Sequence, residues 1–269
     1  MHLKIEHQSK YRFEEPIRYV VQSHRLYASN FEGQSVVAWD VAVEGAIFGQ
    51  YFTDSAGDQV RTMTLQGPVD EIAISVTGEV ITTDLSGVLR NHVERVPPLA
   101  YLRATTLTKA DNAIAELARS VSGTGSQLDT AHALSTAISE AITYTPGVTY
   151  SHTSAAEALD QGQGVCQDHA HALIAAARTL DLPARYVSGY LYATADGKQH
   201  EAGHAWAEIH VDGFGWIGFD AANACCPDEN YVRLGSGLDA NHAAPIRGVT
   251  HGLSEAELEV TVAVAAAQQ

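Results

Sequence analysis

GQGVCQDHAHALIAAARTLDLPARYVSGYL, residues 162–191, sets a cysteine directly behind a glycine-rich loop and at the head of a helical pattern. Ala170, Leu173, Ala177 and Leu180 follow Cys166 at helical spacing, so a core-facing stripe begins at the sulfur itself. Leu182-Pro183 ends that helix, and ARYVSGYLYA, over 184–193, reads as a strand. A thiol at a helix N-terminus lies at the positive end of the backbone dipole, which favours the thiolate. An unpaired cysteine is more often a small buried hydrophobe. Position alone therefore leaves two readings of Cys166, nucleophile and packing residue.

Before this stretch the pattern changes once. LKIEHQSKYRF, SVVAWDVAVEG, QVRTMTLQG and EIAISVTGEVITTD read as strands, the last alternating through Ile72, Ile74 and Val76. Asp54 to Asp58 and Gly67-Pro68 read as the turns that separate them. Short strands at this spacing predict a β-sandwich-like domain or a curved sheet. Pro97-Pro98 marks a linker, which divides the chain into an N-terminal β-domain, 1–96, and a second unit, 97–269. In that unit DNAIAELARSVS and LDTAHALSTAISEAITY are helical by period, the second with Asp129 as its N-cap. Ser154 and Glu157 stand in capping-box spacing ahead of the Cys166 helix. Strands at 184–193, 204–211 and 215–220 come next, and LEVTVAVAA is a last alternating strand that could return to either sheet. Helices followed by strands predict an α+β domain, with the helices packed on an antiparallel sheet.

The composition sets limits on the partners. Of 269 residues, 45% are hydrophobic and 18% charged, as in a folded globular protein, and the formal charge is −16. No basic stripe is present to displace counterions, which argues against nucleic acid. The apolar runs are too short to span a bilayer, and no signal-like segment opens the chain, so neither a membrane nor export is expected. Three cysteines, two of them adjacent at Cys225 and Cys226, form no disulfide framework, and the cytoplasm is the expected compartment.

A cysteine nucleophile needs a base and a group that orients the base. Period two places His204, Trp206, Glu208 and His210 on one face of a strand in GHAWAEIHVDGFGWIGFDAAN, with Ala205, Ala207, Ile209 and Val211 on the other. A hairpin through Gly213 and Gly215 returns Asp220 and Asn223 to the level of His204. If DGFG is the turn, simple counting puts Asn223 nearly opposite His204 and Asp220 about three residues away, unless a bulge or longer turn moves it into place. The helix-terminal N–H of Cys166 could stabilise an oxyanion, and Gln161, Gln163 and Tyr150 precede it as candidates for a second donor. CQDHAH gathers Cys166, Asp168, His169 and His171, but the spacing matches no tetrahedral zinc pattern. No metal and no cofactor is expected. His171 reads as a buried residue satisfied by a backbone group, and Trp206 and Trp216 as packing.

These blocks, with DENYVRLGSGLDANHAAPIRGV and the opening LKIEHQSKYRFEEPI, resemble the transglutaminase-like superfamily, and within it the bacterial members that carry an N-terminal β-domain. The resemblance covers nearly the whole chain. It implies a papain-like, transglutaminase-core catalytic domain with Cys166 as nucleophile, His204 as general base and Asp220 as its orienter. Two positions depart from the family pattern. His169 stands where an aromatic is usual, and Ala221-Ala222-Asn223 where Pro-Thr-Asn is usual. The activity implied is attack on a peptide or protein amide through a thioester, resolved by water in a peptidase or amidase. The alternatives are acyl transfer to an amine, as in a transglutaminase, and a non-catalytic binding module on the same fold.

Overall fold

The computed structural model describes residues 1–123, 125–192, 203–251 and 256–267. β1 (His2–His24), β2 (Gln34–Val43), β3 (Ile47–Thr53) and β4 (Gln59–Thr82) open the chain. α1 (Asn112–Val121), α2 (Gln127–Ala141), the short β5 (Thr143–Tyr144), α3 (Ala155–Gln161), the short β6 (Gln163–Gly164) and α4 (Cys166–Thr179) follow. β7 (Ala184–Leu191), β8 (Gly203–Val211), β9 (Gly215–Phe219), β10 (Tyr231–Gly237), β11 (Ile246–His251) and β12 (Ala256–Ala266) complete it. The class is α+β, as the order of patterns predicts. Residue 193, the last of the strand expected over 184–193, lies outside the described residues.

β1 and β4 run antiparallel along nearly their whole length and form the spine of a six-stranded sheet. β2 flanks one half of β4 and β3 the other, while β12 flanks Leu3–Phe13 of β1 and β11 flanks Tyr19–His24. The β1–β4 register shifts between Arg12 and Ile17 and again before Tyr19, opposite Gly67-Pro68. Bulged strands bend, and the two halves here share one core. Ile17, Val20, Met63 and Leu65 from one half bury with Val41, Ile72, Ile74 and Val76 from the other. The sheet doubles over into a sandwich-like unit whose corner lies at Gly67-Pro68. That dipeptide is therefore not the end of a strand, as its turn chemistry suggests. β4 passes through it, because a bulge tolerates a residue without an N–H. Only glycine fits beside it, since a Cβ on Gly67 would stand 2.2 Å from the Ile17 carbonyl oxygen.

β12, left open to either sheet by its sequence, and β11, not read from the sequence as a strand, both pair with β1 although they lie within the 97–269 part of the chain. They satisfy a strand edge whose backbone N–H and C=O groups would otherwise lack partners.

The second sheet has the order β10-β7-β8-β9, all antiparallel, and α4 lies across it. Ala170, Leu173 and Ala177 of α4 bury against Ala205, Ala207, Ile209 and Val211 of β8, with α1, α2 and α3 around them. Asp111 caps α1 through the Ile114 N–H, and Ser154 with Glu157 forms a capping box on α3. On α2 the cap is Ser126 rather than Asp129. Asp129 occupies the third helical position, where its carboxylate accepts from the Ser126 N–H and completes the box. Among the described residues no helix is long and apolar enough to cross a membrane.

The other face of β8 turns toward the first sheet. There Glu208 accepts from Arg185 Nε (2.6 Å) and Arg233 Nε (2.9 Å), and Arg233 Nη1 reaches Asp58 of the first sheet's β3–β4 turn (3.0 Å). Arg185 also pairs with Glu94 of the linker. Burial raises the cost of the Glu208 charge, but the two guanidinium groups outweigh it and hold its pKa down to about 2. This buried ion cluster bonds the two sheets to each other.

Candidate active site

The residues ahead of Cys166 are shaped for the helix start. Gly162 ends α3 in the left-handed region (φ 64°), and β6 pairs in parallel with β5 before the chain turns into α4. Gly164 leaves room for Asp168, whose carboxylate a Cβ there would approach to 2.7 Å. Asp168 Oδ2 accepts from the Val165 N–H (2.8 Å) and from Thr149 Oγ1 (2.6 Å), so this acid next to the thiol is engaged in capping. The N–H groups of Cys166 and Gln167, in the first helical turn, donate to no protein acceptor among the described residues.

His204 enters from β8. The β8–β9 hairpin pairs Val211 with Gly215 and Ala207 with Phe219, with positive φ at Gly213 and Gly215. Continuing that register would set Asp220 beside Trp206, a diagonal neighbour of His204 on the same face. Its carboxylate spans the diagonal, and His204 Nε2 donates to Asp220 Oδ2 at 2.6 Å. The hairpin needs no bulge to bring them together. Cys166 lines the same cavity as the His204 ring and is one of the groups that raise the His204 pKa. With Nε2 engaged by Asp220, Nδ1 is the nitrogen left for the thiol. The structure thus brings Cys166 to the same cavity as the hydrogen-bonded His204–Asp220 pair.

Asp220 is held by five donors. His204 Nε2, Asn223 Nδ2 (2.7 Å) and Tyr231 Oη (2.8 Å) converge on Oδ2, while the N–H groups of Ala222 (3.0 Å) and Asn223 (3.2 Å) reach Oδ1. Burial would raise the Asp220 pKa, but His204, Asn223 and Tyr231 together lower it. Burial would likewise lower the His204 pKa, yet the hydrogen bonds and negative charges of Asp220 and Cys166 push it up to about 10. The arrangement favours imidazolium beside the sulfur at neutral pH. Both orienter candidates read from the sequence contribute, Asp220 directly and Asn223 as a clamp on Asp220. The sequence reading misses Tyr231, which is brought in by β10. Its one local signal is a tyrosine opening a strand just after Asp228 and Asn230.

The site opens into a cavity of about 430 Å³ between the two sheets. Cys166, His204 and Tyr186 line one side; His7 and Ser9 of β1 and Val260 of β12 line the other. Gln161, Gln163 and Tyr150 do not line it. The Tyr186 hydroxyl makes no hydrogen bond among the described residues, and its ring lies tilted against His171 (5.2 Å between centroids). Burial, then the charges of Cys166, Asp168 and Asp239, hold its pKa well above the ordinary tyrosine value, so it is a proton donor throughout the neutral range.

Two family models match this chain: the transglutaminase-like superfamily over residues 115–221, and the bacterial transglutaminase-like N-terminal region over residues 3–81. The chain belongs to the transglutaminase-like superfamily. An uncharacterised protein of Mycobacterium leprae is 27% identical over 97% of this chain and 98% of its own length. An uncharacterised protein of Mycobacterium tuberculosis is 38% identical, over 42% of this chain and 39% of its own. The crystal structure of a candidate cysteine protease from Cytophaga hutchinsonii superposes with a TM-score of 0.77 at 22% identity, covering 100% of this chain and 92% of that one, and so shares the fold.

Other positions singled out in this transglutaminase-like chain have structural partners. His169 bridges the carbonyls of Val165 (2.9 Å) and Ile142 (2.8 Å), and His171 Nε2 accepts from the Ala240 N–H (3.0 Å). Trp206 is buried and stacks on the His204 ring (6.4 Å). Trp216 is buried under Arg185 and donates to Glu94 (2.6 Å). Among the described residues no three His, Cys, Asp or Glu side chains gather as a metal site. Cys225 is exposed, with Sγ 3.3 Å from Tyr231 Oη; partial desolvation and the nearby charges raise the pKa of both adjacent thiols, that of Cys226 to about 11.

Proposed function

We propose that this chain is a cysteine-dependent hydrolase of peptide or protein amides, with Cys166 as nucleophile, His204 as acid and base, and Asp220 as orienter. The placing of Cys166 on one cavity with His204, itself bonded to the five-donor Asp220, carries the reading. The thiolate forms a bond to the amide carbonyl carbon, and the carbonyl electrons move onto oxygen. The free Cys166 N–H and the Tyr186 hydroxyl are the donors that would receive that oxyanion. As the oxyanion collapses, the C–N bond breaks and the His204 imidazolium gives its proton to the departing amine. A thioester remains. Neutral His204 then takes a proton from water, hydroxide adds to the thioester, and the acid departs as the thiolate and imidazolium are restored.

Transfer to an amine uses the same groups. Hydrolysis is preferred here because the described lining of the cleft holds no carboxylate to receive a cationic amine. The thiol chemistry suits a reducing compartment such as the cytoplasm, and all three cysteines are free. Mass spectrometry of a peptide library, incubated with and without a small primary amine, tests the reading. Cleavage or deamidation that depends on Cys166 supports it. Amine incorporation in place of hydrolysis would move the assignment to acyl transfer, and an inert chain would return it to a binding module.

A further inference from the structure

We propose that the cleft beside Cys166 is a specificity pocket for an uncharged, apolar side chain on the acyl part of the substrate, and that its selecting wall is built by the two ends of the chain, β1 and β12. This deepens the amide-hydrolase reading and rests on it.

The wall is one face of a strand pair. His7 stands opposite Val262, Ser9 opposite Val260 and Tyr11 opposite Leu258, and residues that face each other across a ladder point to the same side of the sheet. All six line the cavity that holds the Cys166 thiol. One step further along the ladder, Ile5 is opposite Val264, and that pair packs into a core with Tyr190, Val232 and Leu234 of the second sheet. The same apolar face is therefore covered at one end and open at the other. Val262 is half-buried, whereas Val260 is 53% and Leu258 50% exposed. The uncovered end opens into the cavity that Cys166 also lines.

The chemistry of the lining limits the occupant. Among its described residues there is no Asp, Glu, Lys or Arg, although the chain as a whole carries a formal charge of −16. Away from the reacting groups, the polar side chains of His7, Ser9 and Ser188 are already paired. His7 Nδ1 bonds to Tyr190 Oη (2.7 Å) and Nε2 to Ser9 Oγ (2.8 Å), while Ser188 Oγ donates to the Ala243 carbonyl (3.0 Å). Burial holds the His7 pKa down to about 4, so the ring is neutral under working conditions. A charged side chain would lose water here, and the ionised His204 in the lining is already paired with Asp220, whereas an aliphatic or aromatic one would bury apolar surface. The acyl group is the part that stays bonded to the sulfur through the thioester stage, so a pocket that contains the sulfur is read by the acyl side.

Acetyl-dipeptidyl chloromethyl ketones test this, because the ketone carries the acyl-side residue to the thiol and chloride leaves as the carbon–sulfur bond forms. Probes with Leu, Phe, Lys or Glu next to the ketone are compared by the rate at which the adduct mass appears on Cys166. We expect Leu and Phe to react at least about tenfold faster than Lys and Glu. Val260→Lys should raise the Glu probe at least about fivefold relative to Leu, while Thr261→Lys, on the opposite face of the same strand, should keep the original order. Equal rates for all four probes, or an order unmoved by Val260→Lys, would overturn the pocket and leave the hydrolase reading standing. The corresponding peptide amides, titrated onto Cys166→Ala by fluorescence polarisation, rank the side chains without any chemistry. If iodoacetamide shows Cys166 to be unreactive, the nucleophile reading fails, and this ranking alone upholds or rejects the pocket.

Discussion

Asp220→Asn keeps the size and shape of the orienter and removes its charge, and the structure says what that does. A carboxylate offers two acceptor oxygens to five donors. An amide offers one, so its NH₂ must face either the His204, Asn223 and Tyr231 group or the Ala222 and Asn223 N–H pair. In either orientation at least two donors lose their acceptor. The electrical loss is larger. Raising His204 from 6.5 to about 10 corresponds to imidazolium stabilisation on the order of 5 kcal/mol. Asp220 and Cys166 share that stabilisation against the opposing effect of burial, with Asp220 the leading contributor. Assigning about half to Asp220 gives roughly 2–3 kcal/mol, or about a hundredfold in the thiolate–imidazolium population at neutral pH. No substrate is needed to see it. The rate of carbamidomethylation of Cys166 by iodoacetamide, followed by mass spectrometry from pH 5 to 10, reports the thiolate directly. The variant should react about a hundredfold more slowly at neutral pH. Asn223→Ala, which removes only the clamp on Asp220, should cost about tenfold or less. A wild-type profile in Asp220→Asn combined with collapse in Asn223→Ala would refute the reasoning and transfer the role to Asn223.

Cys166 should be alkylated well ahead of Cys225 and Cys226 at pH 7, because burial and neighbouring charge raise the pKa of the latter two; peptide mapping after a limited iodoacetamide pulse checks the order, and Cys166→Ala should abolish turnover. Tyr186→Phe preserves the packing on His171 and removes a hydroxyl donor, so kcat on a cleaved peptide should fall by about one to two orders of magnitude with KM little changed. Glu208→Ala leaves Arg185 and Arg233 buried without their shared carboxylate, at a cost of roughly 3–5 kcal/mol, and the melting temperature should fall by about 10 °C. His7, His24 and His171 are each depressed by burial from 6.5 to about 4 in the folded state. The unfolded chain therefore binds more protons between those values, and stability should drop as pH falls from about 6.5 toward 4, which thermal melts at stepped pH will show. His204, raised to about 10, acts in the opposite sense. Its contribution is fully present below about 6.5 and is lost as pH rises through about 10.

What the sequence made legible follows from how local each determinant is. α4 and β7 could be read because the stripe from Ala170 to Leu180 and the stop at Leu182-Pro183 are local signals, and the structure bounds them at Cys166–Thr179 and Ala184–Leu191. The shared face of His204, Trp206 and Glu208 follows from period two alone. β3, in contrast, has Ile47, Tyr51 and Phe52 exposed, so no inside-outside alternation marks IFGQYFT as a strand. Gly67-Pro68 carries turn chemistry but lies in a bend whose cause is the crowding of β1 against it, a contact fifty residues away in the chain. Asp129 has the chemistry of an N-cap, yet Ser126 ahead of it could claim that role and leave Asp129 to complete the box.

The partner of the last strand was the least legible feature and the one that matters most to the site. LEVTVAVAA alternates equally well for either sheet. Its choice is fixed by β1, which has β4 along one edge and needs a partner along the other. Once β12 takes that edge, Val260 and Val262 must lie on the same side as Ser9 and His7, because facing residues in a ladder share a face. His7 is in turn fixed to β7 through Tyr190, and Tyr190 lies one ladder step from Gly189, which pairs with His204. The position of the C-terminal strand and that of the histidine are thus set by two backbone ladders joined through the His7–Tyr190 side-chain hydrogen bond, which is how a wall made from both ends of the chain comes to line the cavity of Cys166.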